Sequence, residues 1–211
     1  GAMSHEIRTP LNAISGFAEL IAGEDLTEEE RREFAQIIRD NTQLFTSLIN
    51  DMLEVSQLDN TSAEMPRKLL DISKIIRAEM EHLPVKEGVE YRLELAAPEI
   101  VFPLHRSYVS LLVRELLKNA VKFTEQGSVT VECGLTGPDT LTLSVTDTGC
   151  GVEPGLAEKI FDRFYQGDPF AQGLGLGLSL CRLIVEKLGG TIALDTSYTG
   201  GARFVVTLRD A

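Results

Sequence analysis

Apolar residues recur at three- and four-residue spacing from the start of the chain, at Ile7, Leu11, Ile14, Ala18 and Ile21. That period predicts a helix over residues 4–22, ended by Gly23. Thr27 followed by Glu30 is a capping-box pattern and opens a second helix. It carries Phe34, Ile37, Ile38, Leu44, Phe45, Leu48, Ile49, Met52, Leu53, Val55 and Leu58. An apolar face this wide exceeds what a two-helix hairpin can bury. A second copy would complete a four-helix bundle, so a homodimer through residues 4–58 is expected.

Residues 59–66 are polar, include Pro66 and lack apolar periodicity, as a linker would. The pattern then changes. A helix is expected near 71–83, a strand at Val89–Leu95 and a long helix over 105–123. Strands Ser128–Leu135 and Thr140–Thr146 follow, with helical pieces near 155–162 and from Gly175 to Leu188. Strands Thr191–Thr196 and Ala202–Leu208 close the chain. The expected class is α+β: an antiparallel helical hairpin forming the dimeric bundle, then an α/β sandwich over 67–211 with a mixed sheet under a helical layer.

Charge narrows the functions open to such a fold. Twenty Lys and Arg against 32 Asp and Glu give a net charge of −12. That excludes general nucleic-acid binding, which needs a basic footprint. An anionic ligand would need local cations, helix N-termini or a metal ion. Cys133, Cys150 and Cys181 are odd in number and far apart, which fits a reducing compartment better than a disulfide framework. No apolar run is long enough to span a bilayer. The opening Gly1-Ala2-Met3 resembles a cleavage remnant, so any membrane anchor is expected outside this segment.

The first candidate chemistry is Ser4-His5-Glu6-Ile7-Arg8-Thr9-Pro10. It is not a zinc-protease motif, because Thr9 stands where the second His would be. On a helix, His5 and Thr9 share a face at i and i+4. Pro10 lacks an N–H, so it frees the Glu6 carbonyl and favours a bend that would expose His5. It equally fits a first helical turn. A neutral imidazole with a carboxylate beside it suits nucleophilic attack on phosphorus. A solvated helix face is the plainer alternative.

The second lies on the 105–123 helix, where Glu115, Asn119 and Lys122 interrupt an apolar run at i, i+4 and i+7. Glu and Asn oxygens suit Mg²⁺ and Lys suits phosphate; an amphipathic helix edge fits as well. Asp147 continues the buried parity of Leu141, Leu143 and Val145, and a carboxylate there wants a donor such as an adenine amino group. Gly149 and Gly151 follow it, although a strand-ending turn is the commoner reason for Asp-x-Gly. Ile160-Phe161-Asp162-Arg163-Phe164-Tyr165 precedes Gly173-Leu174-Gly175-Leu176-Gly177-Leu178, whose glycines open a helical stretch as a phosphate site would. No Gly-Lys-Ser/Thr follows, so this is not a P-loop.

The order of these pieces carries more than any one of them. The His5 segment resembles the H box of sensor histidine kinases, and the later segments resemble that family's N, G1, F and G2 boxes. Their ATP domain belongs with those of gyrase, heat-shock chaperone and mismatch-repair ATPases. The resemblance implies ATP and Mg²⁺ as cofactors and His5 as the phosphorylated residue. Glu6 would assist proton removal, and Thr9 would position water for dephosphorylation. It places Asn119 on the Mg²⁺–phosphate group with Glu115 beside it, and Lys122 and Arg163 at phosphates. Asp147 would accept from adenine. Gly149, Gly151, Gly173, Gly175, Gly177 and Leu178 would shape the pocket and lid, with Phe161 and Phe164 anchoring the lid. The phosphoryl group would pass to an Asp of a response-regulator receiver domain, in the cytoplasmic core of a membrane-anchored bacterial sensor. Many family members carry Asn where Glu115 stands, so its role is the least fixed. An ATP-hydrolysing machine of the same superfamily and a non-catalytic nucleotide-sensing module are the rivals.

Overall fold

The computed structural model describes residues 2–23, 25–60, 66–165 and 175–210, without the side chains of 2, 3, 6 and 58–60. The chain divides into two compact units: residues 1–60 with 163–176, and residues 61–162 with 177–211.

In the first unit, α1 (Ala2–Ile21) and α2 (Glu28–Asn60) form a hairpin. Helix α1 runs on through Pro10. The capping box is made in both directions: Glu30 N–H donates to Thr27 Oγ1 at 3.1 Å, and Thr27 N–H donates to Glu30 Oε2 at 2.8 Å. Those bonds hold the Glu30 carboxyl below the usual range. Arg31 reaches back to the Ile21 carbonyl at 2.9 Å and caps α1. Phe17 meets Phe34 across the hairpin, with ring centroids 5.4 Å apart. Leu11, Leu20 and Leu53 remain 43–53% exposed. The two helices alone do not cover their apolar face.

Beside the helix and strand expected near 71–83 and at 89–95, the second unit holds two short strands that periodicity did not reveal. Strand β1 (Lys68–Asp71) leads directly into α3 (Ile72–Glu81), and after β2 (Val89–Leu95) comes β3 (Val101–Leu104). Strands β1 and β3 pair antiparallel as a two-stranded ribbon. Four residues are too few to show alternation, and Pro103 argues against a strand. Asp71 belongs to the ribbon and also caps α3: its carboxylate accepts from Ser73 N–H at 3.1 Å and Ile100 N–H at 3.3 Å.

Helix α4 (Arg106–Phe123), strands β4 (Gly127–Gly137) and β5 (Thr140–Asp147), two 3₁₀ turns (Pro154–Leu156 and Lys159–Phe161), α5 (Gly177–Lys187), β6 (Thr191–Leu194) and β7 (Arg203–Arg209) complete it. The main sheet has the order β2-β4-β5-β7-β6. Strands β2 and β4 are parallel and the remaining pairs antiparallel, a mixed sheet as expected. Burial alternates along β7, with Phe204, Val206 and Leu208 inward. They share the buried core with Leu141, Leu143 and Val145 of β5, Leu112 and Leu116 of α4 and Leu180 and Ile184 of α5. Arg67 ties the start of this unit to its end, donating to the Leu188 and Arg209 carbonyls at 2.9 Å each.

Candidate active site

Helix α4 carries the polar stripe. Glu115, Asn119 and Phe123 follow at i, i+4 and i+8, so they share one face. Glu115 is buried, at 5% exposure, and its Oε1 lies 3.4 Å from Lys118 Nζ. A Cβ on Gly177 would stand 3.1 Å from Glu115 Oε2, so α5 begins against this carboxylate. At the other end of the stripe, a Cβ on Gly149 would stand 2.1 Å from the Phe123 carbonyl oxygen. Asn119 is therefore flanked by the start of α5 on one side and the Gly149 turn on the other. It is half-buried, and its amide has no side-chain hydrogen bond among the described residues. Lys122 is exposed, with Nζ 5.3 Å from the Phe123 ring centroid.

Asp147 ends β5 on the buried parity, at 2% exposure. Its Oδ1 accepts from Gly149 N–H at 2.9 Å and Ala202 N–H at 3.2 Å. Burial pushes its carboxyl up, and the two backbone donors partly offset this. Gly149 packs on the Phe123 carbonyl, where no side chain fits. Gly151 has φ +73°, and a Cβ there would stand 3.0 Å from the Gly201 carbonyl oxygen. Gly149→Ala is expected to lower the thermal midpoint by several degrees, through forced movement of the α4 end. A calorimetric melt checks it.

Sequence reasoning missed the groups that hold Asp147. Thr148 Oγ1 accepts from Ser128 N–H at 2.9 Å, and Tyr198 Oη donates to the Asp147 carbonyl at 3.2 Å. Ala202 supplies a backbone donor, invisible in its side-chain type. The only sequence signal for this loop was the Gly200-Gly201 pair.

Gly177 and Leu178 open α5, whose first turn presents N–H groups with no intrahelical partner. Phe161 is buried against Phe204, with centroids 6.1 Å apart, under the Arg182 guanidinium at 4.3 Å. Arg163 is exposed, and Phe164 N–H donates to the Gly175 carbonyl at 3.1 Å. Arg163 and Gly175 group with the helical unit. Gly173 lies outside the described residues.

On α1, His5 is exposed. Thr9 Oγ1 donates to the His5 carbonyl at 3.1 Å, so its hydroxyl engages the backbone rather than the ring. The Glu6 side chain lies outside the described part of the molecule.

Residues 105–211 match the family described as histidine kinase-, DNA gyrase B- and HSP90-like ATPase, and residues 1–61 match the His Kinase A (phospho-acceptor) domain. The chain belongs to the sensor histidine kinases. Over 98% of its length, this histidine kinase is 33% identical to the histidine protein kinase DivJ of Caulobacter vibrioides, covering 36% of that protein. It is 28% identical to the aerobic respiration control sensor protein ArcB of Escherichia coli, again over 98% of its length and covering 28% of that protein. It thus spans about a third of these curated relatives. The crystal structure of full-length ShkA in complex with AMPPNP is 30% identical, with a TM-score of 0.75 over 99% of this chain and 45% of that one. The histidine kinase ThkA, solved with the response regulator protein TrrA, shares the fold at a TM-score of 0.78 and 22% identity, over 99% of this chain and 60% of that one. No helix among the described residues is long and apolar enough to cross a membrane.

Proposed function

We propose that this histidine kinase transfers the γ-phosphoryl group of ATP to His5 and then relays it to an aspartate of a response-regulator receiver domain. The observation that carries the reading is the convergence of the α4 stripe, the buried Asp147 carboxylate and the start of α5 in one unit, with an exposed His5 on the phosphoacceptor helix. The AMPPNP held by ShkA, an ATP analogue on a 30% identical relative, supports ATP as the substrate.

In this reading the adenine amino group donates to Asp147, and the glycines at 149 and 151 let the base lie against backbone. The start of α5 at Gly177 and Leu178, together with Lys122, receives the phosphates; Arg163, Gly173 and Gly175 are assigned to phosphate and lid by the family resemblance alone. The oxygen donors Asn119 and Glu115 fit a hard divalent cation: the Asn119 amide makes no side-chain hydrogen bond among the described residues, and the Glu115 carboxylate is buried. They would hold Mg²⁺, which offsets phosphate charge. A neutral ring nitrogen of His5 attacks the γ-phosphorus, the bond to the β,γ-bridging oxygen breaks, and ADP leaves. Glu6 takes the ring proton. Thr9, whose hydroxyl donates to the His5 carbonyl, positions water when the same domain dephosphorylates its response-regulator partner.

Residues 4–58 form the dimerisation and phosphoacceptor domain, 59–66 the linker and 67–211 the ATP-binding domain. The exposed Leu11, Leu20 and Leu53 support a homodimer through the helices. The chain is the cytoplasmic core of a sensor whose membrane segments lie elsewhere. Incubation with Mg²⁺ and γ-labelled ATP tests the reading. It predicts acid-labile, base-stable label on the protein. Steady phosphate release without label would favour an ATP-hydrolysing machine, and binding without either would favour a nucleotide-sensing module.

A further inference from the structure

Asp147 and Ala202 stand one step beyond the last register pair of β5 and β7, Thr146 with Arg203. In an antiparallel ladder, a hydrogen-bonded pair exchanges both of its bonds. Only one is exchanged here: Asp147 N–H donates to the Ala202 carbonyl at 2.8 Å. The return bond is diverted. Ala202 N–H donates at 3.2 Å to the Asp147 carboxylate instead of the Asp147 backbone carbonyl. That carbonyl accepts from Tyr198 Oη, also at 3.2 Å.

The loop that carries Tyr198 is well tied. Asp195 Oδ1 accepts from Ser197 N–H at 3.0 Å and Ser197 Oγ at 2.6 Å, and Tyr198 N–H donates to the Asp195 carbonyl at 3.3 Å. Asp195 in turn lies 3.7 Å from Arg203 on β7. Gly200 leaves room for the Tyr198 ring, since a Cβ there would stand 2.8 Å from Oη. Gly201 presses on the Asp147 carbonyl, where a Cβ would come within 2.0 Å. The hydroxyl and the two glycines fit this carbonyl as a set.

We infer that Tyr198 is a positioning residue for base recognition: its hydroxyl satisfies the Asp147 carbonyl and so leaves the Ala202 N–H to hold the Asp147 carboxylate. The inference rests on the reading of Asp147 as the adenine acceptor. Without the hydroxyl, the buried carbonyl needs another donor, and the antiparallel register offers it the Ala202 N–H. The carboxylate then keeps Gly149 N–H alone on Oδ1 and can turn away from the base.

Tyr198→Phe tests this, because it keeps the ring beside Gly200 and removes only the hydroxyl. Calorimetric titration of wild type and variant with ADP, and with purine riboside diphosphate, which lacks the 6-amino group, separates the cases. The expected result is ADP affinity lowered about fivefold, as loss of one net hydrogen bond gives. Affinity for the analogue stays level, and the Ala202 amide resonance moves in a ¹H–¹⁵N spectrum. Equal weakening of both ligands, or an unmoved Ala202 resonance, would overturn the inference. A wild type that binds both ligands equally would instead remove the adenine reading of Asp147, and this inference with it; the Ala202 resonance would still report whether the bond is diverted.

Discussion

His5→Gln stops phosphorylation of the protein while leaving its ATP affinity within about twofold of wild type, since uniform binding is untouched. His5 is exposed on α1, so glutamine there is a surface change expected to alter stability by no more than ~0.5 kcal/mol. The carboxamide has no nucleophilic ring nitrogen, so the loss is of the step itself rather than of binding. Asn119, Asp147 and the α5 N-terminus, which the proposed reading assigns to the nucleotide, are unchanged by it. Filter-bound label and calorimetric titration, run on the same samples, measure the two halves. Parallel loss of both would show that His5 acts on the fold or the pocket.

Asp147→Asn has the opposite signature. Asn keeps an oxygen for the Gly149 and Ala202 donors but, in the proposed reading, turns an N–H toward the adenine amino group. Two donors then face each other, and nucleotide affinity is expected to fall about 10- to 100-fold, the equivalent of a charged hydrogen bond of ~1.5–3 kcal/mol. Burial raises the Asp147 carboxyl above its ordinary value in the folded state. The native protein therefore holds this proton where the unfolded chain has released it. Stability contributed by the protonated form is lost as pH rises through that interval, and the cost of the buried charge is fully present above it. Asparagine has no charge to bury. The nucleotide-free variant is thus expected to be at least as stable as wild type at neutral pH while binding poorly. Melts at acid and neutral pH with ADP titrations check it, and a variant that unfolds would contradict it.

Long periodic elements were legible in the sequence because burial imposes a period. The hairpin, α4 and the strands that became β2, β4 and β5 appeared within a few residues of their bounds, and the inward parity of Asp147 was read from Leu141 and Leu143. The β1–β3 ribbon was not legible. Its strands are four residues long, one holds Pro103, and Asp71 serves strand and helix cap together. Helix α5 begins at Gly177 rather than Gly175, whose φ of +66° is left-handed and stops a helix from starting there. In the site, side-chain chemistry marked Glu115, Asn119 and Asp147. The supports of Asp147 were hidden because two are backbone N–H groups and a third, Tyr198, lies 51 residues away.

In the proposed reading His5 itself carries the phosphoryl group, and Ser4 and Thr9 are hydroxyl neighbours on the same helix. Tandem mass spectrometry at neutral pH, after incubation with Mg²⁺ and ATP, resolves the three. The account predicts a phosphoryl group on the His5 ring, removed by brief acid treatment. An acid-stable phosphoryl group on Ser4 or Thr9, with His5 unmodified, would contradict it.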